Sequence, residues 1–160
     1  MIAVRELSYC YPAQRFEVRD LSFSLENGER VAVVGPNGSG KTTLFMLMCG
    51  VLRPDTGQIR VEGKIIRHLM FNPRLGYLFQ QPDDQLFSGT LEEDVSFGPM
   101  NMGCSGNEVR QRTRNALEQV GLADKGEFSP HHLSGGQKRM AALAGLLAMD
   151  NQVLLLDEPT

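Results

Sequence analysis

Eight residues, Gly35-Pro36-Asn37-Gly38-Ser39-Gly40-Lys41-Thr42, follow the pattern GxxxxGK[ST]. Glycines at these spacings let backbone N–H groups converge on a phosphate, and a helix beginning just beyond them adds partial positive charge. Lys41 is a mobile point charge for β- and γ-phosphates. Thr42 offers a hydroxyl to magnesium, and Thr43 completes the nucleotide-binding run. A second candidate is Asp157-Glu158, directly after the apolar run Val153–Leu156. Open α/β sheets place their ligands at the carboxyl ends of their strands. There Asp157 can hold magnesium through water, and Glu158 can orient and polarise an attacking water. Taken alone, the same run also reads as a strand ending in a solvated acidic turn. A third is Leu133-Ser134-Gly135-Gly136-Gln137. Its Ser134, Gly135 and Gly136 precede a helix and so form a second N-terminus suited to phosphate.

The elements around these residues define an α/β chain. Leu21, Phe23 and Leu25 alternate with polar residues, the period of a half-buried strand, and Asn27-Gly28 reads as a tight turn. Val31-Ala32-Val33-Val34 is apolar without alternation, as expected of a strand covered on both faces. Leu44, Leu47, Met48 and Val51 predict one face of a helix that Pro54 ends. Ile59 and Val61 share a face of the next strand, and a further strand is expected over Leu75–Phe79. From Ser88 to about Ser129 the signals become helical and loop-like. There Ser105 and Glu108 fit a capping box, opening a helix with Val109, Ala116, Leu117 and Val120 inward and Gly121 at its close. Arg110, Arg112 and Arg114 fall on its wet faces. A last helix spans about Gly136–Met149, before the strand Val153–Leu156.

Composition excludes several functions. The 160 residues are 41% hydrophobic and 22% charged with a net charge of −3, which argues against nucleic acid as a partner. No run approaches a membrane span, and the N-terminus has neither a basic start nor an apolar signal core; a cytoplasmic, soluble domain is expected. Cys10, Cys49 and Cys104 are far apart, so neither a disulfide framework nor a zinc site is expected. His68, His131 and His132 have no ligand spacing and read as surface or packing residues.

Leu133-Ser134-Gly135-Gly136-Gln137, in order with the phosphate loop and a helical insert between them, resembles the ATP-binding cassette ATPases. The resemblance implies a P-loop NTPase fold: an N-terminal antiparallel β subdomain, a RecA-like parallel core and a helical signature subdomain. The corresponding spans are 1–87 for the β subdomain and phosphate-loop core, 88–135 for the helical subdomain and 136–160 for the return to the core. It implies ATP and Mg2+ as ligands, and a head-to-tail dimer in which the signature closes on ATP held by a second ATPase subunit. By the same resemblance Tyr11 stacks on adenine; as an isolated aromatic it reads as core. Gln80 matches the glutamine that senses magnesium and the attacking water, with the adjacent Gln81 as the alternative register. Gln80–Phe87 and Glu93–Gly103 look like the ATPase subunits of energy-coupling-factor importers, in particular the cobalt and nickel branch. That implies a peripheral subunit on the cytoplasmic face of the cell membrane, bound to an integral membrane transport subunit through the region near Gln80–Phe87 and the helical insert.

The chain departs from the pattern at its end. The resemblance implies, beyond Asp157-Glu158-Pro159-Thr160, a switch histidine after a strand lying between Val31–Val34 and Val153–Leu156. The sheet is therefore expected to be incomplete at the C-terminus, and the chain to be a fragment that hydrolyses ATP poorly alone. The alternatives are a non-catalytic nucleotide-binding remnant and a soluble cassette ATPase of translation or repair.

Overall fold

The computed structural model describes residues 1–12 and 17–158; Pro159 and Thr160 lie outside the described residues. The chain forms two compact units, Met1–Asn72 and Pro73–Thr160.

In the first unit, strands β1 (Ile2–Cys10), β2 (Glu17–Leu25), β3 (Thr56–Val61) and β4 (Lys64–Ile65) form an antiparallel sheet in the order β2-β1-β3-β4. Ile2 and Val4 point inward at a spacing of two, yet the next buried residue is Leu7. A bulge at Arg5-Glu6 makes this possible: the register with both neighbours slips there, and Glu6 takes φ 49°. Facing it, Gly57 (φ 80°) lies so close that a Cβ would come within 2.4 Å of the Arg5 and Glu6 carbonyl oxygens. Ile59 and Val61 are buried, and Asn27-Gly28 turns as its residue types predict.

Helix α1 (Lys41–Met48) buries Leu44, Leu47 and Met48. Its stop is earlier than the sequence suggested. Gly50 takes φ 74°; its N–H bonds to Leu47 O and that of Val51 to Met46 O, the double closure of a left-handed glycine cap. Pro54 is therefore not the terminator, and Val51 falls outside the helix, exposed.

Val31–Val34 is the main correction. The segment is not in a strand, has no ladder partner among the described residues, and leaves Val31 59%, Val33 41% and Val34 87% exposed. An apolar run without alternation needs a neighbour on each side and a cover on each face, and these residues supply neither.

The second unit pairs β5 (Leu75–Leu78) with β6 (Val153–Leu156), parallel, with Leu75 opposite Val153 and Leu78 opposite Leu156. Between them run α2 (Leu91–Asn101), α3 (Gly106–Gln119) and α4 (Gly135–Ala148), packed on one another around a core that includes Leu78, Leu91, Val95, Leu117, Ala141 and Leu146. Helix α2 was not separately expected. Thr90 and Glu93 form a capping box at its start, the same reciprocal arrangement that Ser105 and Glu108 make for α3. Gly98 brings it against α4: a Cβ there would lie 2.4 Å from Met149 Cγ. Strand β6 is covered on one face only, with Leu155 and Asp157 buried while Leu154 and Leu156 are each 38% exposed.

Candidate nucleotide-binding site

The phosphate-loop residues lie in the first unit, between the exposed valines and α1. Gly38 and Gly40 take φ 80° and 97°, conformations that a Cβ disfavours, and Gly40 is the N-cap of α1. The loop folds tightly: a Cβ on Gly35 would meet Ser39 Oγ at 2.6 Å, and the Ser39 N–H donates to Pro36 O at 3.1 Å. Lys41 Nζ donates to Gly35 O (3.0 Å) and Pro36 O (3.1 Å), so its ammonium sits inside the loop it belongs to. Asn37 and the rest of 35–39 are exposed. Thr42 is half-buried, and Thr43 is buried with its hydroxyl 3.4 Å from the Tyr11 hydroxyl. Tyr11 in turn packs its ring edge-to-face with Tyr9 at 4.9 Å.

In the second unit the parallel pairing brings two of the candidate stretches together. The Asp157 N–H donates to Leu78 O at 3.1 Å, which extends the ladder to the strand ends. Just beyond, Gln80 Nε2 donates to Glu158 Oε2 at 2.7 Å, while Gln81 caps a short 3-10 turn, Pro82–Asp84. Asp157 is 3% exposed, and its Oδ2 accepts from the Tyr77 hydroxyl at 3.0 Å. Glu158, exposed, takes φ 48°, a left-handed conformation two residues after the strand ends. Sequence reasoning missed Tyr77. It precedes Leu78, and its diagonal relation to Asp157 follows only from the β5–β6 register.

Leu133 is buried in the core and anchors the stretch before α4. Ser134 is the N-cap: its hydroxyl accepts from the Gln137 N–H at 3.3 Å, and the Gln137 side chain accepts from the Ser134 N–H at 3.0 Å. Gly135 and Gly136 open the helix, with nothing within 4 Å of where a Cβ would stand. The start of α4 therefore presents backbone to open space, where an anion can approach.

For magnesium, the donor chemistry fits. Within the second unit Asp157 offers a carboxylate and Gln80 a carbonyl whose amide nitrogen is already committed to Glu158, and within the first unit Thr42 offers a hydroxyl. These are the hard oxygen ligands magnesium prefers. No group of three or more His, Cys, Asp or Glu that could hold a metal occurs among the described residues. A nucleotide-bound magnesium draws most of its ligands from phosphate and water. The three histidines are exposed, and burial pushes the Cys49 thiol up to about 12, which leaves it protonated at neutral pH.

Residues 18–160 match the family model described as "ABC transporter". The chain is 46% identical over 165 residues to an energy-coupling factor transporter ATP-binding protein of Methanothermobacter thermautotrophicus, covering all of this chain and 53% of that protein. A protein of the same description from Methanosphaera stadtmanae is 44% identical, with 59% of it covered. The chain thus spans little more than half the length of these curated relatives. Among solved structures, CbiO1 of Clostridium perfringens, described as part of the ABC transporter complex CbiONQ, superposes with a TM-score of 0.85. It is 38% identical, and the match covers 98% of this chain and 64% of that one. The ATP-binding cassette MJ0796, described as dimeric in a post-hydrolysis state with ADP and Pi bound, gives a TM-score of 0.86 at 25% identity. That match covers all of this chain and 75% of that one. No helix among the described residues is long and apolar enough to cross a membrane.

Proposed function

Because this chain belongs to the ABC transporter family, we propose that it is the ATP-binding and ATP-hydrolysing part of a subunit that energises an energy-coupling-factor importer. The observation that carries the hydrolytic part is the hydrogen bond from Gln80 to Glu158, beside the buried Asp157, at the ends of two paired strands. In this reading the loop 35–43 holds the phosphates of ATP, with Lys41 turning from its own loop carbonyls to the β- and γ-oxygens. Thr42, Gln80 and Asp157 hold magnesium, which supplies neutralisation of phosphate charge. Glu158 orients a water and takes its proton as the new bond to the γ-phosphorus forms and the bond to the ADP oxygen breaks. Tyr11 carries the adenine.

The partners follow the same reading: a second ATPase subunit, identical or not, whose ATP meets Ser134–Gln137, and an integral membrane subunit on whose cytoplasmic face this one sits. The exposed, edge-to-face pair Phe87 and Phe97 supports an apolar docking surface near Gln80–Phe87. The cargo we assign is a metal ion, cobalt or nickel, or a vitamin, selected by the other subunits. Glu158→Gln in the protein at its encoded length is expected to keep ATP binding and lower turnover about a hundredfold or more. Undiminished turnover would remove Glu158 from the mechanism.

The exposure of Val31–Val34 favours a second statement, that these 160 residues by themselves do not turn over ATP. An ATPase assay on residues 1–160 tests it: turnover at a rate comparable to that of the protein at its encoded length would overturn it, and none would support it.

A further inference from the structure

Lys138 is the residue directly after the Ser134–Gln137 cap, in the first turns of α4. Its side chain is only 18% exposed, and its ammonium donates to Asp83 Oδ1, in the 3-10 turn that follows Gln80-Gln81. Asp83 is 67% exposed. A pair with one partner so open adds little stability, since solvent already screens it. The buried side chains of α2 and α4 hold this unit together without it.

The pair's effect is geometric. The turn it grips is stiff: Pro82 fixes one backbone angle, the Asp84 and Gln85 N–H groups donate to Gln81 O and Pro82 O, and Gln85 Oε1 accepts from the Phe79 N–H at 3.2 Å. Asp83 therefore cannot shift far without carrying Gln80, and Gln80 is bonded to Glu158. The path runs from the signature cap through the Lys138–Asp83 pair, along the Gln81-Pro82 backbone to Gln80, and across its bond to Glu158, all inside one compact unit.

We propose that Lys138 and Asp83 are positioning residues that tie the placement of Glu158 to the placement of the signature helix. When the start of α4 moves onto a phosphate, the carboxylate is drawn with it; when α4 withdraws, the carboxylate loses its alignment. This rests on the hydrolytic role of Glu158 given above.

The test uses the protein at its encoded length, measuring kcat, KM for ATP and melting temperature. Asp83→Asn and Lys138→Met are each expected to lower kcat about fivefold, with KM within about twofold and melting nearly unchanged. The double variant is expected to be no slower than either single one, and Lys138→Arg to restore the rate. Single variants at the unsubstituted rate, penalties that multiply, or losses matched by a fall in melting temperature would each overturn the relay. Glu158→Gln, assayed alongside, separates the failures. If it turns over normally the hydrolytic assignment falls; if it is inactive while Asp83→Asn and Lys138→Met are unimpaired, only the relay falls.

Discussion

Tyr77→Phe isolates one bond whose strength the structure bounds. The ring stays, with its edge-to-face contact to Phe79 at 4.8 Å, and only the hydroxyl 3.0 Å from Asp157 Oδ2 is lost. Asp157 is 3% exposed, so water has little access to replace that donor, and further chain packed around it could only add burial. A hydrogen bond to a charged group contributes about 1.5–3 kcal/mol, and leaving its acceptor buried and unmet costs in the same range. Without nucleotide or magnesium, the variant should therefore lose about 2 kcal/mol. With a denaturant slope of about 2 kcal/mol/M that moves the urea midpoint down by about 1 M. The same substitution in an Asp157→Asn background should cost about half as much, because the acceptor is then neutral. The assay is equilibrium urea unfolding at neutral pH for the four proteins of the cycle. A midpoint shift under about 0.2 M, or equal shifts in both backgrounds, would refute the idea that Tyr77 holds the aspartate.

Two further outcomes concern the scaffold. The Ser105 N–H and then the Ser105 hydroxyl hold the Glu108 carboxyl below its ordinary value of 4.5. Its contribution to the α3 cap is therefore complete above that value and lost as the pH falls through the lowered one. The protection factors of the Ser105–Val109 amides, their exchange rates relative to the intrinsic rate at each pH, should fall on acidification through that lowered value, and Glu108→Gln should abolish the fall. Gly57→Ala must displace the Arg5 and Glu6 carbonyls as well as hold φ 80°, and should cost about 2–4 kcal/mol in unfolding experiments. Gly28→Ala, at φ 84° but with nothing within 4 Å, should cost about 1 kcal/mol.

Local chemistry was legible where it depended on neighbours in sequence. The Ser105 and Glu108 cap, the turn at Asn27-Gly28, the placement of Gly40 and Lys41 at the start of a helix, and the strand Val153–Leu156 all follow from adjacent residue types. Helix α2 was harder to read, because Glu92, Glu93 and Asp94 make its first turn polar and Pro99 lies inside it. Its Thr90…Glu93 spacing was nevertheless a usable start signal. Gly50 ended α1 before Pro54 could, a choice made by left-handed backbone geometry rather than by the stronger helix breaker. Burial was the least legible property. Four valines and alanines at 31–34 and the leucines of β6 carry the composition of a covered strand, yet cover depends on what lies beside them, which no local pattern encodes. Tyr77 and the Lys138–Asp83 pair were unreadable for a similar reason, since each joins positions brought together by tertiary packing.

The Gln80–Glu158 bond joins residues 78 positions apart, so its history during synthesis differs from that of the phosphate loop. Closing so long a loop is slow unless the intervening chain shortens it, and α2, α3 and α4 do so through contacts of low sequence separation. The phosphate loop leaves the ribosome more than a hundred residues before Glu158, about ten seconds earlier at ordinary elongation rates. For that interval the nascent chain carries the glycine-rich loop without the Gln80–Glu158 bond. In the reading proposed above, the order of synthesis delivers the carboxylate that would activate water last, after the whole of α2, α3 and α4.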